Sequence, residues 1–272
     1  MEFGLFSLSN RSLNNRTAPA MDSWNEDLWE IQLAEELGFS EAWIAEHIGG
    51  LPPNALPSAD QFICKAAAVT QRMRFGPGVR PLPHYHPVHV ATQAAVSDQL
   101  TEGRYMAGFG GARGNPRPGG ARQDMLHQLG IEVTPVQKRA MMFEAIDLIL
   151  KCWTAAEPFD YEGQFWHGKR IAVEPKPLQK PHMPVGLANS ESIETARYAG
   201  EQGFLPLHYY YDTAARLKEL GAAFEEGAQA AGKDPSRSAI RVARFVHVGE
   251  SDESARDEVR VAWQENLKWA KD

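Results

Sequence analysis

Apolar residues change their spacing again and again along this chain, and each change marks a new element. EFGLFS (2–7) is a strand-like run, followed by a polar loop through Thr17. Between Asn25 and Phe39, Leu28, Trp29, Ile31, Leu33, Ala34 and Leu37 recur at helical spacing, and the pattern stops at Gly38. Residues 41–45 (EAWIA) are a short apolar run that predicts a buried strand. PSADQFICKAAAVTQ (57–71) predicts a helix opened by Pro57 and Ser58, and MRFGPGVRPLP (73–83) a strand. A helix over 86–100 carries Pro87 in its first turn, where a missing N–H costs nothing. RYMAGFG (104–110) is the next strand, and 136–153 is the longest amphipathic helix. After an irregular stretch at 155–182, with turns and a possible hairpin, the alternation resumes. It gives a strand at 184–190, a helix from Glu191, a strand at 203–209, a helix around 212–231, a strand at 240–250 and a last helix from Asp252.

Strand–helix units of this kind predict parallel βαβ repeats, whose right-handed crossovers build either a barrel or an open sheet. The pattern supplies seven barrel-type strands, so a closed eight-stranded barrel would need one more: either it is absent from this chain, the favoured expectation, or a strand of the 155–182 stretch substitutes for it. The length fits one domain over 1–272, with 155–182 as an excursion on the rim. In such folds the carboxyl ends of the strands carry the chemistry. Glu46 and His47 stand at one such end, before two glycines. The competing reading is a solvated polar pair at a strand end.

Composition narrows the function classes. Hydrophobic residues make up 43% and charged residues 23%, close to ordinary usage in soluble proteins, which indicates neither disorder nor a membrane protein. A net charge of −7 disfavours nucleic-acid binding. The two cysteines, Cys64 and Cys152, form neither a disulfide framework nor a zinc ribbon. No apolar run reaches the length of a membrane span and the start lacks a secretory pattern, so a cytoplasmic protein is expected. HYHPVH (84–89) raises a metal reading, but no Asp, Glu or Cys accompanies it at ligand spacing, and no metal is expected. FGGARG (109–114) lacks both the dinucleotide glycine spacing and the Walker lysine. ANSES (188–192) precedes a helix, which makes it an N-cap or an anion site.

Seven segments in order, FGLF, AEELGFSEAWIAEH (34–47), RFGPGVRPLPHYHPV (74–88), DQLTEGRYMAGFGGA (98–112), EPFDYEGQFW (157–166), VEPKPLQKPHMPVGLANS (173–190) and ETARYAGEQGF (194–204), resemble the bacterial luciferase-like, flavin-dependent monooxygenases, nearest their limonene and hydrocarbon hydroxylase branch. The resemblance implies an α/β fold, a (β/α)8 TIM barrel with the flavin at its carboxyl mouth. His47 matches the family's catalytic histidine, with Glu46 beside it. A neutral-range imidazole suits the proton transfers of oxygen activation. Where the family often has a second histidine, this chain has Ile48. Gly78–Val79 matches a cis peptide beneath the flavin ring, Gly110 and Gly111 would admit the ring, and Asn189, Ser190, Ser192 and Arg113 would meet the phosphate. The implied cofactor is reduced FMN from a separate reductase, acting with O2 on a small apolar molecule. A deazaflavin hydride-transfer enzyme and a non-catalytic flavin-binding relative are the alternatives. A homodimer through helices near the start is implied as well. Substrate choice is expected to lie in loops such as 8–24 and 113–130.

Overall fold

The computed structural model describes residues 2–9, 19–47, 56–112, 126, 130–189 and 192–269. Its strands run parallel in chain order: β1 (Gly4–Ser7), β2 (Glu41–Ile44) and β3 (Arg74–Pro77) form one ladder. β4 (Arg80–Pro81), β5 (Ala107–Gly110), β8 (Val185–Ala188), β9 (Leu205–His208) and β10 (Arg241–Val242) form the next. A bridge between Phe75 and Tyr105 joins the two ladders. The α1 (Ala20–Glu36), α2 (Ala59–Ala67), α3 (Pro87–Leu100), α4 (Pro135–Thr154), α5 (Ile193–Gln202), α6 (Ala214–Ala230) and α7 (Asp252–Trp269) helices alternate with these strands. The result is a parallel (β/α) barrel. Among the described residues β1 pairs only with β2 and β10 only with β9, which leaves a seam between β1 and β10.

Alternation along the strands sorts the core into two layers. Ala42, Ile44, Phe75, Phe109, Val185 and Leu187 face outward, packed with Ile31, Ile63, Ile146 and Ile149 of the helices. Trp43 faces the other way and fills the barrel interior. Gly76, Gly108 and Gly186, one from each of β3, β5 and β8, stand around its indole. A Cβ at Gly76 would lie 2.7 Å from the ring and one at Gly186 2.8 Å, so one large side chain is matched by three absent ones. The Trp43 Nε1 donates to Glu41 at 3.0 Å, and Glu41 is bridged by Arg241 of β10 at 2.6 Å, a strut across the seam. Burial opposes the charge on Glu41, but the Arg241 hydrogen bonds outweigh it and hold the carboxyl below its usual range.

Several boundaries differ from the sequence expectation. The strand expected over 73–83 is two strands divided by a cis peptide at Gly78–Val79. β3 pairs back to β2, while β4 pairs forward to β5. The strand expected over 240–250 reduces to Arg241–Val242, since strand hydrogen bonding needs a partner and among the described residues only β9 offers one. The α1 helix starts at Ala20, ahead of the apolar period, after Pro19. The α2 helix ends early because Thr70 bonds back to Ala66 O and the Glu35 carboxylate takes the N–H groups of Gln71, Arg72 and Met73. The excursion does hold a hairpin, β6 (Phe159–Glu162) with β7 (His167–Ile171), but it is no part of the rim of the cleft described below. Glu144 of α4 accepts from the N–H groups of Gln164, Phe165 and Trp166, and Lys151 lies over the Phe159 ring, so the hairpin is seated on the outside of α4.

Candidate active site

One cleft of about 2380 Å3 follows the barrel interior and the seam. At the mouth the carboxyl ends of four staves bring His47, Gly110, Asn189 and His208 onto it. His47 lies just past β2, its main-chain N–H donating to Leu56 O at 3.0 Å. Burial pushes its imidazole below the ordinary histidine range, which keeps the ring neutral and able to accept a proton. The expected imidazole and the expected serine turn therefore share one rim.

Glu46, read from sequence as the partner of His47, has a different setting. Its side chain is 0% exposed, Arg80 Nη2 lies 3.2 Å away, and Tyr85 donates to it at 2.7 Å. The main-chain N–H of Ala59, at the start of α2, adds a third bond at 3.1 Å. Arg80 also reaches Asp60 at 2.8 Å, and Asp60 accepts from the Tyr105 hydroxyl at 2.6 Å. Burial works against the guanidinium, but Asp60 and Glu46 overcome it and hold Arg80 more firmly charged than a free arginine. The network ties the segment after β2, which leads into His47, to β4, α2 and the segment before β5. The sequence reading missed it; a lone arginine following a glycine pair in a buried strand was the available signal.

The cis Gly78–Val79 peptide lies on the cleft. A Cβ at Gly110 would stand 2.5 Å from Val79, and at Gly111 the nearest atom is Met142 Sδ at 3.6 Å, so this wall is bare backbone. Asn189 is 4% exposed; its Oδ1 accepts from Ser192 N at 3.1 Å, and its Nδ2 has no hydrogen-bond partner among the described residues. The helix expected from Glu191 starts at Ile193, with the Ser192 hydroxyl as its N-cap, accepting from Thr195 N at 3.1 Å. Capping and anion binding are thus both open to this turn. Ser190 and Arg113 lie outside the described residues. Two cations unforeseen from sequence stand on the facing wall. Lys138 of α4 is 7% exposed and bonds Ala112 O at 3.3 Å, and Arg139 pairs with Glu194 at 2.8 Å. Their adjacent positions in the first turns of α4 were the missed signal, because that helix was read only for its apolar face.

The histidines of HYHPVH separate. His84 lines the cleft, whereas His86 caps α3 by accepting from Val88 N and lies edge-on to Trp166. Among the described residues no three His, Cys, Asp or Glu side chains stand close enough to hold a metal, and no helix is long and apolar enough to cross a membrane.

His47 and His208 are both held below about 6.5 by burial, so the unfolded chain binds these protons first as pH falls. Their contribution to stability is complete above that value and lost on acidification through the folded values. The urea midpoint is therefore expected to be lower at about pH 5.5 than at about pH 7.5. The difference should shrink in His47→Gln; an equal fall in the variant would refute the assignment.

Comparison with known proteins converges on the same site-bearing fold. Residues 1–271 match the luciferase-like monooxygenase family. The 4-hydroxyprotoasukamycin monooxygenase of Streptomyces nodosus subsp. asukaensis is 30% identical, over 93% of this chain and 67% of its own length. The oxygenating constituent of 3,6-diketocamphane monooxygenase from Pseudomonas putida, solved in complex with FMN, superposes with a TM-score of 0.80 at 25% identity, over 95% of this chain and 71% of that one. Similarity extends to an F420-dependent hydroxymycolic acid dehydrogenase of Mycobacterium tuberculosis, 28% identical over 83% of this chain and 59% of that protein. With a parallel barrel, a cleft at its carboxyl mouth and a match along nearly its whole length, this chain belongs to the luciferase-like monooxygenase family.

Proposed function

We propose that this protein is a flavin-dependent monooxygenase that uses reduced FMN, supplied by a separate reductase, and O2 to oxygenate a small, mostly apolar organic molecule. The observation that carries this reading is the meeting, on one rim, of His47, the cis Gly78–Val79 peptide, the bare Gly110–Gly111 wall and the Asn189–Ser192 turn. The residues fit such a cofactor. Among the described residues Asn189 Nδ2 is buried with no partner, the α5 N-terminus offers a positive dipole end, and Lys138 and Arg139 bring positive charge to the facing wall. These groups would hold the phosphate, with Ser190 and Arg113 adding donors. Gly110, Gly111 and the Gly78–Val79 peptide would hold the ring. Bound there, reduced flavin supplies the two electrons that activate O2.

His47 would move protons at the reacting edge, because its neutral ring can take one and give it back near neutral pH. Glu46 we assign to positioning, since Arg80, Tyr85 and Ala59 occupy its carboxylate. A homodimer completes the proposal, supported by Trp29, Leu33 and Leu37 along one exposed stripe of α1. Sedimentation of the purified chain tests it.

Quenching of FMN fluorescence on titration into the protein, followed by oxygen uptake with reduced FMN, tests the main reading. Binding with uptake is expected, and His47→Ala should lower turnover about a hundredfold or more while leaving FMN affinity nearly unchanged. Uptake absent with reduced FMN, but hydride transfer present with reduced deazaflavin, would replace it with the dehydrogenase reading. An unaltered rate in His47→Ala would leave a flavin-binding protein without this chemistry.

A further inference from the structure

The inward faces of the strands are not alike around the barrel. Alternation along each strand brings Leu8, Ala45, Gly78, Gly110, Ala188 and Leu207 to the interior at the carboxyl ends, and all of them line the cleft. The four on neighbouring staves, Ala45, Gly78, Gly110 and Ala188, are small. The two large ones, Leu8 just past β1 and Leu207 of β9, stand on opposite sides of the seam, and β10 adds only Ala243 between them. Both lie half-buried. Leu207 leans inward far enough that a Cβ at Gly186 would lie 2.9 Å from its methyl group, and the Phe6 ring, one inward position below Leu8, would meet a Cβ at Gly78 at 3.1 Å. Leu8 is held in place from both sides. Ser7 and Ser9 donate to the buried Asp27 carboxylate at 2.6 and 2.5 Å, and Ser7 O accepts from Ala45 N at 2.9 Å, which fixes the turn beside the stave that carries His47.

Chemistry divides the cleft in the same way as size does. Lys138, Arg139 and Asn189 stand on the side of the small residues, where they suit an anion, whereas Phe6, Leu8 and Leu207 offer no side-chain hydrogen-bonding atom. We propose that Phe6, Leu8 and Leu207 wall a subsite for a compact apolar molecule beside His47, and that Leu8 and Leu207 determine the largest molecule it admits. Asp27 acts as the positioning residue of Leu8. A subsite without donors or acceptors selects by size and shape, because its contacts are only those of buried apolar surface. The arc of Ala45, Gly78, Gly110 and Ala188 is left for a flat ring. A small molecule suits these walls better than an added strand, since Arg241 already crosses the seam to Glu41 at 2.6 Å where such a strand would run. That the occupant is the substrate of an oxygenase rests on the function proposed above, whereas the size preference does not.

The test is binding of cyclohexanone and of the larger 2-decalone to the whole chain, with and without oxidised FMN, followed by NMR of the leucine methyl groups. The Leu8 and Leu207 signals are identified by their loss in Leu8→Val and Leu207→Val. Both signals are expected to move when either ketone is added. Leu207→Ala should shift the affinity ratio toward 2-decalone by about tenfold and Leu207→Phe should shift it the other way, with FMN affinity close to that of the parent. Should the alanine variant fold poorly, Leu207→Val should show the same trend with a smaller change. Asp27→Asn should broaden the Leu8 signal and weaken the preference. A ratio unmoved by substitutions at both leucines overturns the subsite, as do shifts confined to other leucines. Binding of neither ketone also overturns it, and leaves these walls as an interior surface that another strand or a second copy covers. Loss of FMN affinity in the leucine variants would assign the side chains to the cofactor instead. Failure of FMN to bind the parent would count against the oxygenase reading alone, and the ketone ratio measured without FMN would still decide the subsite.

Discussion

Arg80→Ala is expected to destabilise the fold by about 3–5 kcal/mol, read as a fall in the urea midpoint. Removing the guanidinium leaves Glu46 and Asp60 as neighbouring carboxylates in a site where the Glu46 side chain is 0% exposed and Asp60 10%. The loss is not that of one ion pair, since the Tyr85 and Tyr105 hydroxyls that donate to the two carboxylates cannot neutralise them. Adding Glu46→Gln to Arg80→Ala should recover part of the loss, because one uncompensated charge disappears. A destabilisation under about 1 kcal/mol would show that water reaches these groups and that the network does not clamp the His47 end of β2.

Trp43→Ala should cost a similar amount, about 3–5 kcal/mol, toward the upper end. Large-to-small changes are mildest where neighbours can collapse into the void, and here three of those neighbours are Gly76, Gly108 and Gly186. Glu41 also loses its Trp43 donor, which weakens the strut to Arg241 across the seam. A double-mutant cycle isolates the shape match. Gly186→Ala should destabilise the parent, where its Cβ would meet Trp43 at 2.8 Å and Leu207 at 2.9 Å, and should be nearly neutral in Trp43→Ala. Gly108→Ala should remain harmful in both backgrounds, because its Cβ would stand 1.8 Å from Pro77 O, a backbone atom that the Trp43 change does not move. Equal effects of Gly186→Ala in the two backgrounds would refute the interior packing.

Much of the fold was legible from one-dimensional pattern, because the alternation of short apolar runs with helical periods reflects burial on two sides of a strand layer. Boundaries were less legible. Nothing in RFGPGVRPLP announces that the strand changes partner at Gly78–Val79, since pairing depends on which neighbour lies alongside. The extent of 240–250 failed for the same reason: RVARFVHV has strand composition, but the ladder extends only where β9 runs beside it. His47 could be picked out in advance by its place at a strand end and by family resemblance. Arg80 and Lys138 left weaker signals, an arginine after two glycines and a Lys-Arg pair at a helix start, which say nothing of the groups that surround them in the fold.

The order of strands and helices, their parallel pairing, and the strand ends that line the cleft were set by the sequence alone, through hydrophobic period and turn chemistry acting over a few residues at a time, whereas closure into a barrel rather than an open sheet was legible only through family resemblance. The tertiary structure decided how the titratable groups are used. It buried Glu46 against Arg80, left His47 neutral on the cleft, and set Asp212 behind His208. A side chain's protonation and partners depend on residues distant in sequence, and only folding brings those together.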